Sequence, residues 1–413
     1  MRSGDYISNP LPIWPRKLRI LVVFPNEGGC AYYRSLLPNR KLIEHHSDLV
    51  DIRFNKNPLG VDETTMQIEP NFDHADIKWA DVVMVNNISN YGGPYTARVV
   101  GLAKEHKKFV HFDTDDLLTD LYKEHRLYDT YKDNKLDEIT KFIYANSDLV
   151  TVTQRKFAQR ISPYCRRILA IVKNCIDYNL PTWNQQKIIQ KGRVHIGWAG
   201  GIHHRPDVQE FATIPHLVNQ KVGREKIFWD FYGLPRIAKD NEKDQWQVEA
   251  WEEYKRSLLR GFKGHPNWRI HYAEPPDNYG IFYANMDVAI APLQMNEFND
   301  SKSEIKVAEC GRYSVPLVAS NVGCYDETII NGETGFLIPP DASRMSWIKR
   351  LSELVKNPEK AREMGRNLHE LTEKYFNINK VVGQRLSLYE SCFKELNYDP
   401  FKEPEVHDSS ATL

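Results

Sequence analysis

Runs of apolar residues recur along the chain at the spacing of strands alternating with helices. Leu18 to Phe24 is an unbroken apolar and β-branched stretch apart from Arg19, closed by Pro25 and by Gly28-Gly29. Such a run predicts a strand buried on both faces of a parallel sheet, followed by a helix from about Ala31. Further runs at Val50–Phe54, Asp81–Val85, Phe109–Phe112, Leu149–Thr153 and Ile168–Val172 have helical segments between most of them. The pattern starts again at Arg193–Ala199, which also ends on a glycine pair, Gly200-Gly201, and continues through 228–232, 268–272, 288–291, 315–319 and 336–338. Helices are predicted at 343–355 and 358–373, with a last amphipathic helix at 378–396. This alternation argues for an α/β protein with two open parallel sheets. The expected divisions are a lead-in (1–17), a first domain (18–178), a polar, proline-containing linker (179–192), a second domain (193–376), a helix packing back on the first domain (377–398) and a loose tail (399–413).

Composition narrows the class. A chain of 413 residues exceeds one ordinary core and suits two domains. Its 55 basic and 55 acidic residues cancel, so net charge offers no support for a nucleic-acid partner, although a local basic face is compatible with a neutral total. The six cysteines form no CxxC or zinc-like spacing and read as reduced thiols of a cytoplasmic protein. No stretch has the signature of a signal peptide or the 18 or more apolar residues of a membrane span.

Candidate chemistry gathers at 292–338. A helix predicted to open at Ser301 would put Lys302, Lys306 and Glu309 on one stripe. Lysines at a helix N-terminus are unfavourable unless an anion is bound there. The stripe spans roughly 10 Å, enough for a diphosphate and a ribose; the alternative is a solvated amphipathic helix. Ligands of parallel sheets sit beyond the strand ends, where this chain has Gly28, Gly29, Gly200, Gly201 and Arg205, and also Tyr33, Arg34 and the acids Asp113, Asp115 and Asp116. Two readings of the residues stay open for the acids: helix caps together with Thr114, or a DxD metal site at Asp113 and Asp115. His203, His204 and Asp207 lack a fourth ligand, and no metal is expected there.

The string FNxxKSxxKxxE, then VPLVAS and ETIxNGxxGFLI, resembles the donor-binding segment of retaining glycosyltransferases of family 4, with weaker echoes over 18–375. The resemblance implies the GT-B fold: two Rossmann-like domains facing a cleft, with the C-terminal helix crossing back. It implies a nucleoside-diphosphate sugar as donor substrate, with no cofactor and no metal. Gly28, Gly29, Gly200, Gly201, Arg205, Lys302, Ser303 and Lys306 would hold the donor phosphates, with Lys302 also stabilising the departing diphosphate. Glu309 matches the ribose-binding Glu of the family's Glu-x7-Glu pair, whereas the first position falls on Ser301; Glu297 and Glu304 do not have the spacing. Asp113 falls where the family commonly places a His beside the reacting sugar, with His111 as a fallback, and Tyr33, Arg34, Asp115 and Asp116 would face the acceptor. Residues 272–279 resemble the loop that brackets the base, and Asn174 with Asp177 echoes the family's closure of the first domain. The implied activity is sugar transfer to an acceptor hydroxyl with retention. The alternatives are a GT-B nucleotide-sugar epimerase and a catalytically silent sugar-nucleotide-binding protein. Acceptor class, which extends to hydroxylated bases of modified viral DNA, and oligomeric state are not legible.

Overall fold

The computed structural model describes residues 10–62, 64–65, 67–69, 72–125, 127–188, 192–201, 204–236, 245–259 and 267–402. Among these, two all-parallel sheets of six strands carry the fold. The first contains β1 (Leu18–Val23), β2 (Val50–Phe54), β3 (Val82–Asn86), β4 (Phe109–Asp113), β5 (Leu149–Val152) and β6 (Ile168–Ile171). The second contains β7 (Val194–Ala199), β8 (Ile227–Leu234), β9 (Trp268–Tyr272), β10 (Val288–Ala291), β11 (Leu317–Ser320) and β12 (Gly335–Ile338). Their spatial orders are β2-β1-β3-β4-β5-β6 and β12-β11-β10-β7-β8-β9. In each sheet the order reverses beside the first strand, between β1 and β3 and between β7 and β10. Both glycine pairs follow those first strands, so they lie at the switch points where open α/β sheets bind ligands. This is the GT-B arrangement expected from the sequence.

Strand alternation divides β4 between two layers. Val110 and Phe112 enter the core formed with Tyr144, while Phe109 joins the core that includes Tyr389 and Phe393. His111 and Asp113 share the Phe109 face. That face is covered by the helix Gln384–Glu395, whose Tyr389 and Phe393 rings meet Phe109 edge-on at 6.3 and 5.1 Å. The C-terminal helix therefore does cross back onto the first domain.

Several local expectations are corrected. The predicted 378–396 helix is two helices, Ile378–Val381 and Gln384–Glu395, separated around Gly383, where an added Cβ would lie 3.0 Å from Leu11 and 3.2 Å from His46. No helix follows Asp116: residues 114–125 form bends and turns, so Asp115 and Asp116 cap nothing. The tail begins by packing, with Phe401 6.0 Å from Trp14 and stacked under Arg16; residues 403–413 lie outside the described residues. The donor-segment helix starts at Ile305, not at Ser301. Asn296 caps a separate short helix, Glu297–Asp300, by accepting from the Asn299 amide at 2.8 Å. Ser301 turns its hydroxyl back to the Glu297 carbonyl at 2.8 Å, closing that helix and leaving none for the next.

Candidate active site

The helix Ile305–Arg312 points its N-terminus toward β7. Lys306, in its first turn, donates to the Ala199 carbonyl at the end of β7. Burial pushes the Lys306 ammonium below the usual lysine range. Lys302 sits in the loop before the helix, its ammonium 4.7 Å from the centroid of the Phe298 ring. Neither lysine forms an ion pair among the described residues. The predicted stripe is thus shortened: Lys306 and Glu309 share a helix face, while Lys302 reaches the same end from the preceding loop.

Glu309 is 2 % exposed and accepts two phenols, from Tyr283 at 2.6 Å and from Tyr33 at 3.4 Å. Burial raises its pKa, against the opposing pull of Lys306 and the two phenols. Tyr283 belongs to the second domain, whereas Tyr33 comes from the first, so the carboxylate is shared across the cleft. Tyr33 lies in a helical stretch running from Gly29 to His46 whose Tyr32–Leu36 portion is a π-helical turn. Such a turn widens the helix and often marks functional positions.

The loop before the donor helix is tied to the first domain by three further sets of bonds. Asp300 receives Lys156 at 3.1 Å and Arg160 at 3.0 Å, and its carbonyl accepts from Gln154 at 2.8 Å. Asn174 donates to Ser303 Oγ at 3.1 Å. Lys173 pairs with the buried Glu304, which also accepts from the Cys324 thiol at 2.8 Å. Asp177 pairs with Lys41 and accepts from Asn379, both at 2.7 Å.

Asp113 and Arg34, expected in the cleft, are both 0 % exposed and paired with each other. Arg34 Nε donates to Asp113 Oδ2 at 3.0 Å, and its Nη1 reaches the Val172 carbonyl at 2.5 Å and Asn174 Oδ1 at 3.1 Å. Thr151, in register with Asp113 on β5, donates to the same carboxylate. That fixes the His111 tautomer. With the Thr151 hydrogen used, Thr151 Oγ1 accepts from His111 Nε2–H at 2.7 Å, and Nδ1 accepts from the Tyr389 hydroxyl at 2.7 Å. Burial holds His111 neutral, its pKa pushed down to about 3. His111 and Asp113 therefore belong to a buried polar chain beneath the cleft, and the roles expected for them beside the sugar are corrected. The same pairing occupies both Asp113 oxygens that a DxD site would use.

Asp115 and Asp116 do face the first-domain glycine turn. Cys30 donates to Asp116 Oδ2 at 3.7 Å, and Asn87 Nδ2 reaches Asp115 Oδ1 at 3.4 Å. One ligand atom each from Cys30, Asp115 and Asp116 fall within 4.8 Å of one another, the grouping among the described residues that could hold a metal ion. Burial, followed by the Asp116 charge, raises Asp115 to about 6.

The glycine turns differ in openness. A Cβ on Gly29 or Gly201 would meet nothing within 4 Å, while one on Gly200 would enter the Trp198 ring at 2.4 Å and one on Gly28 would lie 2.8 Å from Asn26. Arg205 pairs with Glu253 on the neighbouring helix, so of the expected phosphate cations it already has a carboxylate. His204 bonds Asp207 at 2.8 Å, and Asp207 in turn accepts the Gln294 and Asn299 nitrogens, each at 2.8 Å. These residues brace the donor loop; His203 lies outside the described residues. Sequence reasoning missed Tyr283, Lys173 and Cys30. A tyrosine between Gly280 and Ala284 gave no sign that it would meet Glu309, 26 positions on.

Comparison with known proteins agrees with this architecture. Residues 249–370 match the model of the family Glycosyl transferases group 1. Over 115 residues the chain is 30 % identical to the capsular polysaccharide biosynthesis glycosyltransferase CapM of Staphylococcus aureus, which is 28 % of this chain and 28 % of that relative's length. Among solved structures, sucrose-phosphate synthase of Thermosynechococcus elongatus superposes with a TM-score of 0.66 at 13 % identity, over 92 % of this chain and 100 % of that one. The Anabaena protein HepE, in complex with UDP and glucose, superposes with a TM-score of 0.59 at 14 % identity, over 91 % and 99 %. A glycosyltransferase of Rickettsia africae gives 0.60 at 12 % identity, over 92 % and 100 %. The chain has the GT-B fold, and its residues 249–370 match the glycosyl transferases group 1 family.

Proposed function

We propose that the protein is a glycosyltransferase that moves a sugar from a nucleoside-diphosphate sugar to an acceptor hydroxyl. The observation that carries this reading is the pair Lys302 and Lys306, two cations without carboxylate partners at the N-terminus of the helix that also bears Glu309. Charge, helix dipole and buried carboxylate together match a diphosphate followed by a ribose. HepE was solved with UDP and glucose, and UDP is accordingly the first nucleotide to test.

In this mechanism Lys302, Lys306 and the free amides of the helix N-terminus bind the diphosphate and stabilise the charge it gains as the anomeric C–O bond breaks. Gly29 and Gly201 leave the backbone open on either side. Glu309 accepts the ribose hydroxyls. The acceptor oxygen bonds the anomeric carbon on the face the phosphate leaves, giving retention, and its proton passes to the departing phosphate oxygen. Asp115 and Asp116 orient the acceptor from the first domain. The lysines neutralise the diphosphate, so donor binding requires no divalent ion.

Incubation of the purified protein with UDP-, GDP-, ADP- and CDP-sugars, followed by assay for released nucleotide, tests the activity. One donor class turned over to nucleoside diphosphate is expected. A donor converted to an epimer, or donors bound without turnover in the presence of an acceptor panel, would contradict it.

A further inference from the structure

A separate cavity lies beside the crossing helix, at the end of β6. It has a volume of about 150 Å³ and is bounded by the end of β6, by the helices Ile378–Val381 and Gln384–Glu395, and by Tyr375 and Glu327 of the second domain. Its walls are largely apolar, with Ile171, Val172, Ile378, Val381, Val382 and Leu388 contributing.

Arg385 enters this cavity from the crossing helix. It is 9 % exposed, yet its guanidinium has no hydrogen bond or ion pair to any described residue. The nearby charges do not balance. Asp113 feels both Arg34 and Arg385, but its carboxylate oxygens accept from Arg34 and Thr151. His111 is neutral, and Lys173 is already paired with Glu304. One carboxylate therefore faces two buried guanidiniums, and the second cation opens onto a cavity. A buried, unpaired charge is strongly disfavoured unless something of opposite sign joins it. Arg155 and Lys173 line the same space as Glu327, so the lining carries no net negative charge.

We propose that this cavity is a binding site for a small carboxylate with an apolar body, its carboxylate forked by Arg385 and its body against the Ile171, Val381 and Leu388 walls. A single guanidinium presents the planar fork that a carboxylate matches. Arg155, Lys173 and Gln384 also line the space, Lys173 being held by Glu304, and the largely apolar remainder favours a carboxylate on an apolar body over a phosphate dianion. A space near 150 Å³ accommodates a benzene-sized body. Because both domains contribute walls, such a ligand would touch both without contacting Lys302, Lys306 or Glu309.

Benzoate is a suitable probe, with benzyl alcohol as its uncharged counterpart and inorganic phosphate as the hydrophilic anion. Benzoate is expected to raise the thermal midpoint saturably by about 2–4 °C, with benzyl alcohol and phosphate giving no shift. Calorimetry should return one site per chain that does not compete with UDP. Arg385→Met is expected to abolish benzoate binding and, by removing the unpaired charge, to raise the unliganded midpoint. If Arg385→Met fails to fold, Val381→Trp, which fills the cavity from a half-buried position, is expected to abolish the binding instead. Equal shifts from benzoate and benzyl alcohol, a shift from phosphate alone, competition with UDP, or undiminished benzoate binding by the folded variant would each overturn the assignment.

Discussion

Tyr33, on the first helix of the first domain, donates its phenol to Glu309 of the second domain at 3.4 Å. Tyr283 donates to the other oxygen of the same carboxylate at 2.6 Å. The Tyr33 bond is the longer of the two and crosses the cleft, so it is the one a ribose hydroxyl would replace. Glu309→Gln is expected to weaken UDP binding by about 1–3 kcal/mol, the loss of a charged acceptor. Tyr33→Phe should leave affinity unchanged or slightly raised, because the nucleotide then displaces no bond. Calorimetric titration separates the two variants, and equal weakening by both would show that Tyr33 is itself a nucleotide contact.

The Arg34–Asp113 pair has a different character. Both side chains are sealed from solvent and joined through Thr151 to His111 and through Asn174 to Ser303. Asp113→Asn leaves a buried guanidinium without its counter-charge and is expected to lower stability by about 3–5 kcal/mol, measured as a fall in the urea midpoint. Donor turnover per folded molecule should change far less. Intact stability with lost turnover would return Asp113 to the reaction.

Asp115 supplies a pH dependence. Its pKa is raised to about 6 by burial first and by the Asp116 charge second. An acid whose folded-state pKa lies above its unfolded value binds its proton more tightly in the native protein. Its contribution to stability is therefore greatest below the unfolded value near 4 and is lost as pH rises through about 6. Asp115→Asn is expected to stabilise the protein at pH 7.5 by about 1–3 kcal/mol and to do nothing at pH 3.5. If the ionised carboxylate orients the acceptor, transfer should rise through pH 6 in the native enzyme and lose that limb in Asp115→Asn. A stability change independent of pH would contradict the assignment.

The two sheets were legible because most of their strands are buried on both faces and leave long apolar runs such as Leu18–Val23. The site was legible only in part. The spacing of Lys302, Lys306 and Glu309 fits one helix stripe, yet the Ser301 hydroxyl turns back to Glu297 and moves the helix start to Ile305; a serine's choice between the helix behind and the helix ahead leaves no trace in spacing. Strand position placed His111 and Asp113 at the ligand end of the sheet. Their burial depends on which layer covers the Phe109 face, and that layer is a helix nearly 280 residues later, as the His111 to Tyr389 separation of 278 shows. The partnership of Tyr33 with Glu309 likewise exists only once the domains meet, while that of Tyr283 depends on how the second domain packs.

In the proposed mechanism Lys302 and Lys306 hold the diphosphate, and the direct measurement is calorimetric binding of UDP against uridine, with and without EDTA, to the native protein and to Lys302→Ala/Lys306→Met. The native protein is expected to bind UDP at least about tenfold more tightly than uridine, a difference of about 1.4 kcal/mol or more, with EDTA changing nothing. The double variant should bind UDP no better than uridine while keeping its uridine affinity. Equal affinities for the two ligands in the native protein, or a UDP preference that EDTA removes and magnesium or manganese restores, would contradict it.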